Sequence, residues 1–188
     1  PRVAGHVGRV FRQRMNHGTG LSGRTPKKKG TDMNIYDYAM DIEKEGERIY
    51  REFAENASSE ELRTVFNWLA EAEHKHFTIF QSMKNQENPE VAETRIVEDA
   101  VNIFRKIKAK EEAEPFQRNQ SDAYQNALVI ETKMADFYKE KAAETDNEAQ
   151  KKIFQQIAAE EQRHQHIMEN LIKMVNNPEI WLHEDKFK

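Results

Sequence analysis

Cysteine is absent from the 188-residue sequence. Disulfide bonds, zinc–thiolate sites and cysteine nucleophiles are therefore excluded within these residues, and a bound metal would need oxygen and nitrogen ligands. Glycine and proline are few, with seven and five residues. No apolar run reaches the roughly 18 residues of a transmembrane helix, so we expect no membrane association. Charged residues make up 33% and hydrophobic residues 37%, a mixture that favours long amphipathic helices.

The first 30 residues differ from the rest in composition. They contain eight Lys or Arg, no acidic residue and six of the seven glycines, and they show no helical or strand periodicity. This pattern predicts a flexible basic head over residues 1–32 and one folded domain over residues 33–188. The head suits a tag or upstream sequence, an organelle transit segment, or a basic arm for an acidic surface or nucleic acid. Nothing about function depends on it.

Apolar residues recur at helical spacing after the head, which predicts four long helices. The first covers residues 34–56, the second begins at Ser58, the third begins near Ser121 and the fourth begins after Thr145. Two short turns and a long connection over residues 86–119, which carries a shorter amphipathic helix, indicate an all-α antiparallel bundle.

Two of these helix starts carry a capping-box spacing, in which a hydroxyl residue precedes an acidic residue by three positions. The pairs are Ser58 with Glu61 and Thr145 with Glu148. We therefore expect Ser58 and Thr145 to cap the second and fourth helices.

The two helix pairs are copies of each other without a gap. Adding 88 to a position in the first pair gives its counterpart in the second. The polar residues on the inner stripes repeat as well as the apolar ones: Glu43 with Glu131, Tyr50 with Tyr138, Glu73 with Glu161, and His76 with His164.

Four glutamates interrupt the apolar stripes, one on each long helix. Burial of an isolated carboxylate is costly, and no Lys or Arg shares the inner stripes to pair with them. Two divalent cations would balance four carboxylates, whereas four neutral glutamates would weaken the core. The sequence therefore predicts two metal ions in the bundle core.

The histidines complete this prediction. His76 follows Glu73 by three positions, and His164 follows Glu161 in the same way, so each pair projects from one helix face. An overlapping pair, Glu71 with His74, lies on the polar face and is absent from the second copy. The predicted ligands are Glu43, Glu73, His76, Glu131, Glu161 and His164.

The sequence allows two roles each for a pair of tyrosines and for one glycine on the inner stripes. Tyr50 and Tyr138 lie two turns beyond Glu43 and Glu131, where they either hydrogen-bond ligand carboxylates or pack against the core. Gly46 leaves a gap one turn from Glu43, which suits either an access path or a close helix contact.

Four segments carry a family resemblance: Glu43 to Tyr50, Glu73-His74-Lys75-His76, Glu131 to Tyr138, and Glu161-Gln162-Arg163-His164. They resemble the motifs of rubrerythrin-like members of the ferritin-like di-iron carboxylate superfamily. The resemblance implies an antiparallel ferritin-like four-helix bundle and a carboxylate-bridged di-iron centre, with manganese as another metal that fits. Glu73 and Glu131, or their repeat counterparts, would be the bridging carboxylates.

The resemblance also implies a function and partners. We expect a homodimeric, cytoplasmic di-iron oxidoreductase that reduces peroxide or dioxygen, or an organellar one if the head is a transit segment. Rubrerythrins proper usually add a rubredoxin domain with four cysteines, so a separate electron-donor protein is expected here. They also often carry an extra glutamate three residues after the third-helix ligand, where this sequence has Met134. Nucleic acid is not an expected partner.

Two other functions compete with this hypothesis. One is a ferroxidase or iron-storage protein, although ferritin centres are usually asymmetric with one histidine. The other is a metal-free helical interaction module, which predicts that removal of His76 and His164 leaves stability unchanged or improved.

Overall fold

The computed structural model describes residues 34–92, 95–109 and 121–183. The predicted basic head over residues 1–32 and parts of the predicted connection over residues 86–119 lie outside the described residues, so the domain boundary at residue 33 stays a prediction. The described part of the chain forms helices and no strand: α1 Ile35–Glu55, α2 Glu60–Lys84, α3 Ile96–Ala109, α4 Ser121–Glu144, α5 Glu148–Asn176 and α6 Pro178–His183.

The long helices form two hairpins. α1 packs along α2 and α4 packs along α5, and the turns that join them are only a few residues long. The hairpins meet where α1 contacts α4 and α2 contacts α5, which gives the predicted all-α, ferritin-like bundle of two duplicated pairs. No helix in the described ranges has the length and apolar character needed to cross a membrane.

The two predicted helix caps are wrong by one and two residues. The Oγ of Ser59, rather than that of Ser58, accepts a hydrogen bond from the Leu62 N–H at 3.2 Å and caps α2. Asn147 caps α5 in place of Thr145, because its Oδ1 accepts from the N–H groups of two residues in the first turn. Ser, Thr and Asn are all good caps, so neighbouring candidates cannot be separated by sequence.

The connecting helix and the last helix close one side of the bundle. α3 packs on α2 and α5, and α6 packs on α5. Trp181 of α6 is buried, with the Phe104 ring 6.1 Å away in an edge-on arrangement and Lys108 Nζ 4.7 Å from its ring centroid. These ring contacts join the two shorter helices to each other beside α5, on which both pack.

Two aromatic clusters lie along the bundle axis. One contains Tyr50, Phe53, Phe66 and Tyr124, and the other contains Phe80, Phe137, Tyr138 and Phe154. On α2, Phe66 and Phe80 each lie seven residues, or about 10 Å, from Glu73. Along the bundle axis, Glu73 therefore lies between two aromatic layers.

Candidate metal centre

All six predicted ligands lie together in the core between the two aromatic clusters. Their exposed fractions are between 0% and 2%. α1 and α4 each contribute one glutamate, and α2 and α5 each contribute a glutamate and a histidine one turn apart. Among the described residues, no Lys or Arg is buried with them.

The six residues form two overlapping groups of four, each with its candidate ligand atoms within 4.8 Å of one another. One group contains Glu43 and His76, the other contains Glu131 and His164, and both groups include Glu73 and Glu161. The two carboxylates common to both groups are therefore Glu73 and Glu161, the glutamates of the two Glu-x-x-His pairs, and these would contact both cations. Glu131, which the family resemblance offered as a bridging residue, belongs to one group only.

The histidines cross between the hairpins in a symmetric way. His76 Nδ1 lies 2.8 Å from Glu161 Oε1, and His164 Nδ1 lies 3.0 Å from Glu73 Oε1. The two rings stack with centroids 5.8 Å apart. Both imidazoles thus direct Nδ1 toward the carboxylates and Nε2 away from them.

The cluster is poor in hydrogen bonds despite its burial. Eight ligand-type atoms make no hydrogen bond of acceptable geometry with the described residues, although some of them lie as close as 2.8 Å to one another. They are Glu43 Oε2, Glu73 Oε1 and Oε2, His76 Nδ1, Glu131 Oε2, Glu161 Oε1 and Oε2, and His164 Nδ1. Buried polar atoms are rarely left unpaired, and a site that binds an ion is one of the ordinary explanations. Because every one of these atoms is a hard oxygen or an imidazole nitrogen, the donor set fits Fe²⁺ or Mn²⁺.

The two tyrosines make hydrogen bonds across the bundle. Tyr50 donates to Glu131 Oε1, and Tyr138 donates to Glu43 Oε1. Each hydroxyl therefore contacts the glutamate of the other hairpin rather than the one on its own helix. These bonds leave the second oxygen of each glutamate directed into the cluster, and they follow the 88-residue repeat.

A fifth buried acid among the described residues, Glu160, was not predicted from the sequence. It is 3% exposed, and its Oε2 lies 2.9 Å from His76 Nε2. Its other oxygen lies 3.8 Å from Arg163 Nη1. A signal was present, because Ile153, Ile157, Glu160 and His164 follow one another at steps of four, three and four along the inner stripe of α5.

Electrostatics within the cluster shift the pKa values in opposite directions. Burial, with the negative charges of Glu161 and Glu131, raises the pKa of Glu73 well above its usual range. Burial also raises the pKa of Glu131 to about 7, although its contact with His164 opposes the rise. Burial alone would raise the pKa of Glu161, but the charge of His76 and the contact with His164 outweigh it and lower that pKa well below its usual range.

The two histidines also hold protons more strongly than usual. Burial would lower their pKa values, but the surrounding carboxylates outweigh it and raise both well above the ordinary value. Without a cation, protons on the imidazoles and on some carboxylates therefore offset the negative charge of the cluster. A cation bound there would displace these protons.

The remaining described histidines lie at the surface. His74, from the overlapping Glu71–His74 pair, is exposed, and its Nδ1 lies 3.0 Å from Glu47 Oε2. His166 and His183 are also exposed. None of the three belongs to either four-residue group.

Comparison with known proteins agrees with the fold and with the cluster. The family model described as rubrerythrin matches residues 34–172. This span includes all six predicted ligands. Neither the curated proteins nor the solved structures contain a significant match. The family match covers well over half of the sequence, and the chain therefore belongs to the rubrerythrin family.

Proposed function

We propose that this protein is a di-iron oxidoreductase that reduces hydrogen peroxide or dioxygen. The observation that supports the proposal best is the pair of four-residue groups, each with one imidazole, that share Glu73 and Glu161. Four carboxylates carry four negative charges, which two Fe²⁺ ions balance. Iron bound between these ligands would supply the electron transfer to the oxidant.

The protein's own residues would bind the ions and exclude water. Glu73 and Glu161 would bridge them, Glu43 and His76 would bind one ion, and Glu131 and His164 would bind the other. Tyr50 and Tyr138 would keep the carboxylates of Glu131 and Glu43 oriented through their hydrogen bonds. The aromatic clusters on either side would separate the centre from bulk water.

The reaction needs electrons from outside the bundle. Reduction of one hydrogen peroxide to two waters consumes two electrons and two protons, and reduction of dioxygen to two waters consumes four of each. The given residues contain no cysteine and so hold no iron–thiolate centre of their own. An electron donor outside the four-helix bundle, such as another protein, is part of the proposed function.

The test is repeated turnover. The metal-free protein is loaded anaerobically with Fe²⁺, excess iron is removed, and peroxide consumption is followed with an excess of a chemical reductant. We expect many equivalents of peroxide to be consumed per centre while the iron stays bound. Consumption that stops once the bound Fe²⁺ is oxidised, with further added Fe²⁺ accumulating as ferric iron, would contradict turnover and favour the ferroxidase or storage function.

Matched variants separate catalysis by the centre from adventitious iron. The double variant Glu73→Ala/Glu161→Ala removes both shared carboxylates, and we expect it to lose turnover. The double variant Glu71→Ala/Glu169→Ala removes one exposed glutamate from each of the same two helices, and we expect it to keep turnover. Equal loss in both would contradict a role for the buried cluster.

A further inference from the structure

The 88-residue repeat supplies the same ligand residues to both halves of the cluster, but not the same partner on the far side of the imidazoles. His76 Nε2 lies 2.9 Å from Glu160 Oε2. The counterpart of Glu160 in the first hairpin is Ala72, which is buried and has no polar side-chain atom.

His164 accordingly lacks the contact that His76 has. Its Nε2 has no hydrogen-bond partner in the described part of the chain, and the residue is 0% exposed. Bulk water therefore does not reach this nitrogen. The equivalent nitrogen of His76 is satisfied by a buried carboxylate.

The difference matters because both imidazoles face the cluster through Nδ1. A neutral imidazole that binds a cation through Nδ1 carries its proton on Nε2. For His76 this N–H donates to Glu160, which fixes both the tautomer and the ring orientation. For His164 the same tautomer buries an N–H without an acceptor, which is unfavourable.

We infer that Glu160 is a positioning residue that makes the two metal positions unequal, so that the position of Glu43 and His76 binds its cation more tightly than the position of Glu131 and His164. This inference rests on the proposed metal centre. Loss of a hydrogen-bond partner behind a metal-binding histidine typically weakens binding by about 10- to 100-fold. We expect a difference of that order between the two positions.

The structure also offers room for the converse change. Ala72 lines a cavity of about 570 Å³ between α2, residues 89–92 and the start of α3, and His76 and Glu160 line the same cavity. A glutamate at position 72 would border this cavity. By the repeat, Ala72 stands in the same relation to His164 as Glu160 does to His76. Ala72→Glu should therefore give His164 the acceptor that it lacks.

The experiment is a titration of metal-free protein with Co²⁺, followed by calorimetry and by the visible absorption of the bound ion. In Glu160→Ala we expect the tighter step to weaken about 10- to 100-fold, and in Glu160→Gln, whose amide oxygen can still accept the N–H, to weaken less. In Ala72→Glu we expect the weaker step to tighten. Glu169→Ala, an exposed glutamate on the same helix, is the control and should bind as the intact protein does.

Single histidine variants assign the steps to positions. His164→Ala should keep the tighter step and His76→Ala should lose it. Equal weakening of the tighter step in both, or no effect of Glu160→Ala while two Co²⁺ ions bind, would overturn the inference and leave the metal centre standing. No Co²⁺ binding by the intact protein would instead overturn the proposed centre itself, and the inference with it.

Discussion

Gly46 of α1 lies directly against the carboxylate of Glu73 on α2. A β-carbon built at Gly46 would lie 3.0 Å from Glu73 Oε2 and 3.2 Å from its Cδ and Cγ. Those distances are too short for an undisturbed contact, so the missing side chain at position 46 provides the space that this carboxylate occupies. The counterpart in the second hairpin is Met134, which is fully buried. Of the two roles considered for Gly46, the structure thus shows a close helix contact.

Gly46→Ala should separate metal affinity from helix stability. Alanine stabilises a helix interior by about 0.5–1 kcal/mol relative to glycine. That gain opposes the cost of moving the Glu73 carboxylate, so we expect the metal-free protein to unfold at nearly the same denaturant concentration. Affinity for Fe²⁺ or Co²⁺ should fall, because Glu73 belongs to both four-residue groups. Unchanged affinity would show that the Glu73 carboxylate needs no space at this position.

The tyrosine hydroxyls should contribute both to stability and to metal binding. Tyr50→Phe leaves Glu131 Oε1 without its donor, and Tyr138→Phe does the same for Glu43 Oε1. A buried acceptor left unpaired costs about 1–3 kcal/mol, so the metal-free protein should unfold at a lower denaturant concentration. Metal affinity should fall by about 10- to 100-fold in each variant.

A control for the tyrosine variants is Tyr36→Phe. Tyr36 is only partly buried, and its hydroxyl contacts Gln150 rather than a glutamate of the cluster. Metal affinity in this variant should match that of the intact protein. If Tyr50→Phe also matched it, the hydroxyl would pack in the core without orienting Glu131.

The metal-free protein should lose stability as the pH rises from about 5 to 8. Glu131 has an ordinary pKa of 4.5 and a folded-state pKa of about 7, so within this range the folded chain keeps a proton that the unfolded chain loses. The pKa values of His76 and His164 are raised above 6.5, which extends the effect to higher pH. The lowered pKa of Glu161 acts only below about pH 4.5 and adds no slope here. A folded state that binds more protons than the unfolded state is destabilised by rising pH.

Denaturant unfolding of chelator-treated protein at pH 5, 6.5 and 8 measures this slope. Glu131→Gln, which mimics the protonated side chain, should flatten it. Metal-loaded protein should behave in the opposite way, because cations displace the protons and bind more tightly as the pH rises. A metal-free stability that stayed level or increased over this range would show that the cluster does not hold extra protons.

Sequence periodicity was sufficient to predict the four long helices, the shorter helix α3 and most of the residues that face the core, but not α6. Buried charge is costly enough that Glu43, Glu73, Glu131 and Glu161 on apolar stripes already indicated a compensated site. The internal repeat strengthened that prediction, because the same polar positions recur in both hairpins. A one-dimensional pattern carries this information because helical spacing fixes which side chains share a face.

Contacts between hairpins could not be predicted in the same way. Tyr50 is two turns from Glu43 on its own helix, yet its hydroxyl donates a hydrogen bond to Glu131 on the other hairpin. The choice of Glu73 and Glu161 as the shared carboxylates depends on how α2 and α5 face each other, which spacing along one helix does not determine. Glu160 could not be predicted from the repeat, because its counterpart in the first hairpin is Ala72.

The iron content of the protein after anaerobic loading with Fe²⁺ and desalting tests the central claim most directly. The intact protein should retain about two iron ions per chain, as expected of a centre with four glutamates and two histidines. The double variant His76→Ala/His164→Ala should retain almost none, whereas His74→Ala/His166→Ala, which removes two exposed histidines from the same helices, should retain as much as the intact protein. Intact protein that retained no iron, or a His76→Ala/His164→Ala variant that retained about two ions, would contradict the account.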